Sequence, residues 1–99
     1  MGMIYVAHCY GNKVANYKRA RQITKELQKN DLDNCYICPL NTFSHIEYGS
    51  IGFEEEMKLC IDLLSACDKL IVASDISKGV GMEIDFANKV GMEVEFLET

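Results

Sequence analysis

The stretch KLIVASDISKGVGMEIDFANKVGMEVEFL, residues 69–97, holds a complete strand–helix–strand unit. Lys69 to Ala73 is a short apolar run of the kind a buried parallel strand uses. Gly79 to Val90 follows with apolar residues at helical spacing, and Gly91 supplies the stop expected just past a helix. Met92 to Leu97 is the next strand. Strand, helix and strand in that order place the two strands parallel, joined by a right-handed crossover.

The same alternation extends toward the N-terminus. Met3 to Ala7 is another apolar run, and Lys13 to Lys29 is helical, with Ala20, Ile23, Thr24 and Leu27 on one side and Lys18, Lys25, Glu26 and Lys29 mostly on the other. Cys35 to Cys38 reads as a strand stopped by Pro39. Leu40 to Gly52 is a loop rich in Asn, Ser, Gly and aromatic residues, of a length that more often serves function than mere connection. Phe53 to Cys67 is a helix opened by Glu54, Glu55 and Glu56, whose charges suit the positive end of the helix dipole. The sequence therefore predicts an α/β fold, a minimal Rossmann-like or flavodoxin-like three-layer sandwich of about four parallel strands with three helices. In such open sheets the ligand crevice lies beyond the carboxyl ends of the strands, here after Ala7, Cys38 and Ala73.

Composition narrows the class of function. Ninety-nine residues, 48% hydrophobic and 25% charged, predict a single folded domain over residues 1–99. A net charge of −5 lacks the cationic footprint of a nucleic-acid binder, so no nucleic-acid polymer is expected as partner. No apolar run approaches membrane-spanning length, and MGMIYVAHCYG has no basic region ahead of its apolar residues, so neither a membrane partner nor a signal peptide is expected. Five cysteines, an odd number, favour a reducing cytoplasmic location over a disulfide framework. On a strand, Cys35 and Cys38 point to opposite faces, so their C-x-x-C spacing reads as structural rather than metal-binding.

Laid out at about 100° per residue, the third helix groups Val80, Ile84, Phe86, Ala87 and Val90 on one arc, with Asp85 and Lys89 facing water. Glu83 falls inside the apolar arc. A carboxylate there is costly to bury unless it is protonated, paired or facing a cavity, so Glu83 is the leading functional candidate; the alternative is a core-edge Glu satisfied by backbone amides. Glu56 also turns inward at the start of the second helix, where a site role competes with simple capping of helix amides. Asn16 lies on the inward arc of the first helix, and His8 follows the first strand at the crevice. Ser77, Gly79 and Gly81 let backbone amides approach an anion at a helix N-terminus, although G-x-G also serves a plain strand-to-helix turn and lacks the spacing of a dinucleotide or P-loop motif.

Taken together, IYVAHCYG (4–11), LLSACDKLIVAS (63–74) and SKGVGMEIDFA (77–87) resemble the nucleoside 2-deoxyribosyltransferase superfamily, especially its small 2'-deoxynucleoside 5'-monophosphate N-glycosidases and short uncharacterised bacterial and phage members. The resemblance runs over nearly the whole chain. It implies that Glu83 is a nucleophile, that Tyr5 lies beside it, and that Ser77, Gly79 and Gly81 hold a 5'-phosphate. It also implies that the backbone of Cys9, Tyr10 and Gly11 forms a first phosphate-contacting turn. Two departures stand out. Cys60 occupies the position, eight residues before Asp68, where the family commonly has an Asp, which leaves Glu56 as substitute acid. The Arg of some N-glycosidase phosphate turns is also absent, leaving Lys13 or Arg19 to reach an anion.

These observations lead to an expected enzyme that cleaves or transfers the N-glycosidic bond of 2'-deoxynucleosides or their 5'-monophosphates through a glycosyl-Glu83 intermediate, with no metal or organic cofactor. The competing expectation, favoured by the missing Asp, is a non-catalytic nucleotide-binding or nucleotide-sequestering module. The loop NTFSHIEYGSIGF exposes more apolar area than a monomer comfortably carries, and family members complete each site with a neighbour's residues, so a homodimer or larger homo-oligomer is expected.

Overall fold

The structure, a computed structural model, describes residues 2–97. Residues 1, 98 and 99 of the expected domain lie outside the described residues. Along the chain run β1 (Met3–Ala7), α1 (Val14–Asn30), β2 (Cys35–Ile37), α2 (Pro39–Thr42), α3 (Phe53–Ser65), β3 (Lys69–Val72), α4 (Lys78–Lys89) and β4 (Glu93–Phe96). All strand pairs are parallel, in the order β2-β1-β3-β4, with Tyr5 beside Ile37 on one side and Leu70 on the other. This is a minimal Rossmann-like sandwich with the flavodoxin strand order, whose direction of winding reverses beside β1.

The two central strands are buried on both faces, and their alternation builds two cores. Tyr5, Ala7, Leu70 and Val72 pack on one face against Leu64 of α3 and Val80 and Ala87 of α4. Val6, Cys38 and Ala73 pack on the other face with Ala20 of α1. The edge strand β4 carries Glu93 and Glu95, both bridged by Lys69 Nζ of β3, at 3.2 and 2.8 Å. Cys35, at the start of β2, is exposed, and Cys38, just past its end and still extended, is buried, so the two face opposite sides, and all five cysteines are free.

Several details depart from the sequence expectation, among them the ends of most strands, which are one residue shorter than expected. The strand expected over Cys35–Cys38 ends at Ile37, Cys38 is an N-cap, and Pro39 opens the short helix α2 in what was expected to be loop, because its fixed φ and missing amide suit the first helical position. Lys13 is the N-cap of α1 rather than its first residue. α3 ends at Ser65, short of Cys67. Val90, expected on the buried arc, is 55% exposed, because α4 ends at Lys89 and Val90 leaves the helical period as the C-cap.

Beyond Val90, Gly91 has φ +76° and its amide donates to the Asn88 carbonyl, while the Met92 amide donates to the Ala87 carbonyl at 2.8 Å. That pair of bonds is a Schellman motif, and it turns the chain into β4. A Cβ at Gly91 would meet nothing within 4 Å, so the cost of a side chain there is purely conformational. Gly91→Ala should therefore lower stability by about 1 kcal/mol, read as a lower urea midpoint at unchanged slope.

Candidate functional site

A cavity of about 490 Å³ opens beyond the carboxyl ends of the strands. The first residues of the three long helices, Val14, Phe53 and Lys78, all line it. This follows from the topology: each crossover helix begins where a strand has delivered the chain to the same edge of the sheet.

Glu83 lies on the cavity wall, one turn into α4, and is 4% exposed. Its Oε2 accepts a hydrogen bond from the hydroxyl of Tyr5, which is fully buried in the sheet behind it. The strand register explains the meeting, since Tyr5 shares the sheet face of Leu70 and Val72 against which α4 packs. Burial pushes the Glu83 carboxyl up to about 7, while the bond from Tyr5 works in the opposite direction. Burial and the neighbouring carboxylate push Tyr5 far upward, so the phenol keeps its proton and remains the donor. Cys60, on α3, also lines the cavity and is a hydrogen-bond neighbour of Tyr5; burial and Glu83 push its thiol up to about 11. At neutral pH the wall thus presents a carboxyl group poised between its two protonation states, backed by a neutral phenol and a neutral thiol. Such a carboxyl can act as proton donor or, once ionised, as nucleophile.

Glu56 is half-buried on the same wall, and its side chain caps no amide of α3. Ser77 and Gly79 line the cavity as well. Ser77 is the N-cap of α4, its Oγ accepting from the Val80 amide at 3.3 Å, and the missing side chain at Gly79 lets α4 approach the Met57 sulfur of α3. Gly81 does not line the cavity. Its amide donates to the Ser77 carbonyl at 2.8 Å, so the anion donor expected there is already engaged within the helix.

His8, Cys9 and Tyr10 line the cavity from the β1–α1 turn. The Cys9 amide donates to Ser74 Oγ at 2.8 Å, tying the ends of β1 and β3 together rather than facing a ligand. Gly11 and Asn12 both have φ near +57° and form the tight turn. Gly11 itself does not line the cavity, and Asn16 holds the turn by donating to the Tyr10 carbonyl at 2.9 Å. Asn16 faces a second, smaller cavity of about 160 Å³, shared with His8, Cys9, Arg19, Ser74 and Asp75 on the α1 side of the sheet.

Several lining residues were absent from the sequence-based candidates. Tyr17 and Tyr48 flank Tyr10, with ring centroids 6.5 and 5.6 Å away, and Phe43 and Phe53 supply further aromatic wall. The aromatic content of residues 43–53 is visible in the sequence but reads there as interface area. Half-buried Phe43 and Ile46 instead face the cavity. Among the described residues no group of three or more His, Cys, Asp or Glu is placed to hold a metal ion, and no helix is long and apolar enough to cross a membrane.

An open all-parallel sheet with a cavity at its strand ends defines a small α/β sandwich of the flavodoxin-ordered kind. Its architecture is similar to that of a conserved protein from Enterococcus faecalis V583, with a TM-score of 0.83 and 21% sequence identity, over 100% of this chain and 64% of that one. This chain therefore spans 64% of that protein's length, and the likeness establishes the fold. No family model and no curated protein matches the sequence.

Proposed function

We propose that the chain cleaves or transfers the N-glycosidic bond of 2'-deoxynucleosides or their 5'-monophosphates, with Glu83 as nucleophile. The observation that carries this reading is the buried Glu83 carboxyl on the wall of an aromatic cavity, hydrogen-bonded to Tyr5. In its ionised form Glu83 attacks C1' of the deoxyribose, the C1'–N bond breaks, and a glycosyl ester forms; water or a second base then takes the sugar. Tyr5 orients the carboxylate. Glu56, half-buried on the same cavity wall, serves as the acid that protonates the departing base. The tyrosine and phenylalanine rings offer stacking surfaces for a planar base. No metal or organic cofactor takes part, and the ligand is a small molecule rather than a nucleic-acid polymer.

Chromatographic detection of free base, after incubation with a panel of deoxynucleosides and their 5'-monophosphates, tests the reading directly. Base release supports it. Tight binding with no turnover anywhere in the panel transfers the case to a nucleotide-binding or nucleotide-sequestering module, which the thiol of Cys60 among the carboxyl-bearing groups favours.

Ser77→Ala should weaken binding of 5'-monophosphates more than that of free deoxynucleosides, because only the former use the first turn of α4 as an anion site. Loss of the cap should also cost about 1 kcal/mol of stability. Calorimetric titration of both ligand types checks the first effect, and denaturation the second. Equal weakening of both ligands rules out an anion role.

We also infer a homodimer or larger assembly in a reducing, cytoplasmic setting. Val14, Tyr48 and Ile76, 64%, 56% and 61% exposed, stand about the cavity end of the molecule and support it. Light scattering at micromolar concentration should give at least twice the mass of the chain; the mass of one chain counts against association.

A further inference from the structure

Residues 13–29 carry six of the ten Lys and Arg of the chain, Lys13, Lys18, Arg19, Arg21, Lys25 and Lys29, against one acidic residue, Glu26. The rest of the chain carries the other four against fourteen Asp and Glu. Most of the positive charge of an acidic protein is thus gathered on one helix. At about 100° per residue, Lys18, Arg21, Lys25 and Lys29 of α1 fall within an arc of about 80°, turned away from Ala20, Ile23 and Leu27, which pack on the sheet. All four are exposed, and together they form a stripe of cations about 16 Å long.

Nothing within the described residues answers this charge. The ion pairs among them belong to Lys69, Glu26 accepts from Gln22 at 3.1 Å, and the first turn of α1 holds no acidic residue. Arg19 turns aside to the smaller cavity. Neighbours along the stripe stand three or four residues apart, a spacing at which like charges repel and weaken a helix. The stripe therefore costs the free chain stability, and an external anion relieves it.

The chemistry of the face selects among anions. α1 has committed its apolar side to the core, and apart from Val14, which lines the main cavity, it has no large apolar side chain left to enter a bilayer. Its one aromatic residue, Tyr17, also lines that cavity, so no ring stands on the stripe for bases to stack on. A broad anion such as a duplex or a membrane would meet the acidic rest of the molecule as well. We propose that the outer face of α1 docks an acidic segment of another protein, whose carboxylates pair with Lys18, Arg21, Lys25 and Lys29. This surface is separate from the proposed nucleoside site and stands or falls without it.

The test is an NMR titration of the chain with poly-L-glutamate in 150 mM salt, where screening confines charge effects to about 8 Å. Saturable shifts should run along α1. Lys18→Glu together with Lys25→Glu should weaken binding by about tenfold, as expected when two exposed pairs become repulsions, while the unfolding midpoint stays at or above that of the parent. Lys58→Glu together with Lys89→Glu changes net charge equally at two other exposed lysines and should weaken binding by less than about threefold. Absence of saturable shifts along α1, or equal weakening by the two double variants, overturns the proposal. Tighter binding of a single-stranded oligothymidylate or of phosphatidylserine vesicles than of polyglutamate also overturns it, and makes the partner a nucleic acid or a membrane instead.

Discussion

Glu83→Gln should reduce base release by about three orders of magnitude or more, the loss expected when a covalent route is denied its nucleophile. The substitution is nearly isosteric. The amide oxygen of Gln still accepts the hydrogen bond that the Tyr5 hydroxyl donates to Glu83, so the packing of α4 on β1 is retained. A neutral amide cannot form the glycosyl ester, however, and ligand affinity should survive because the aromatic walls and the start of α4 are untouched. Quantifying free base over time for the two proteins, with calorimetric affinities alongside, separates loss of chemistry from loss of binding. Comparable base release by both proteins would remove Glu83 from the nucleophile role.

The same substitution should stabilise the fold, and by an amount that depends on pH. The Glu83 carboxyl titrates near 7 in the folded chain against an ordinary value of 4.5, so between those values the folded state holds a proton that the unfolded state has lost. Stability contributed by that proton is complete below about 4.5 and declines as pH rises through about 7, beyond which both states are ionised. The shift corresponds to a burden on the order of 3 kcal/mol at pH 8. Glu83→Gln carries no such burden. Its Tm should exceed that of the parent by about 10 °C or more at pH 8 and approach it at pH 4. A difference in Tm that does not change with pH would show that burial of the carboxylate is not what separates the two proteins.

How much of this was legible in the sequence depends on whether local chemistry or tertiary contact decides each feature. The strands and their order of use follow from apolar runs at Met3–Ala7 and Lys69–Val72, and the stop at Gly91 follows from the φ that only Gly adopts freely. Glu83 is visible because helical periodicity places it among apolar neighbours, and periodicity is local. The partnership with Tyr5 requires the register of β1 against β3, which spacing does not supply. A shift of one residue mattered at Gly81: with α4 beginning at Lys78 rather than Gly79, the Gly81 amide is the first to find a partner inside the helix. The aromatic wall was hidden for another reason. Tyr10 and Tyr48 lie on segments far apart in the chain, and their contact exists only once residues 43–53 fold back across the strand ends.

The convergence of Val14, Phe53 and Lys78 on one cavity also determines how occupancy must spread through the molecule. No short segment of the chain contains the site, because its walls come from residues spread between His8 and Glu83, drawn from both sides of β1. Local fraying of any one helix start therefore dismantles the same receptor that global unfolding dismantles. A ligand that binds only the assembled receptor suppresses all of these openings together. Amide hydrogen exchange should accordingly slow not only in the turns that touch the ligand but along β1 and β3, by a common factor set by ligand concentration relative to Kd.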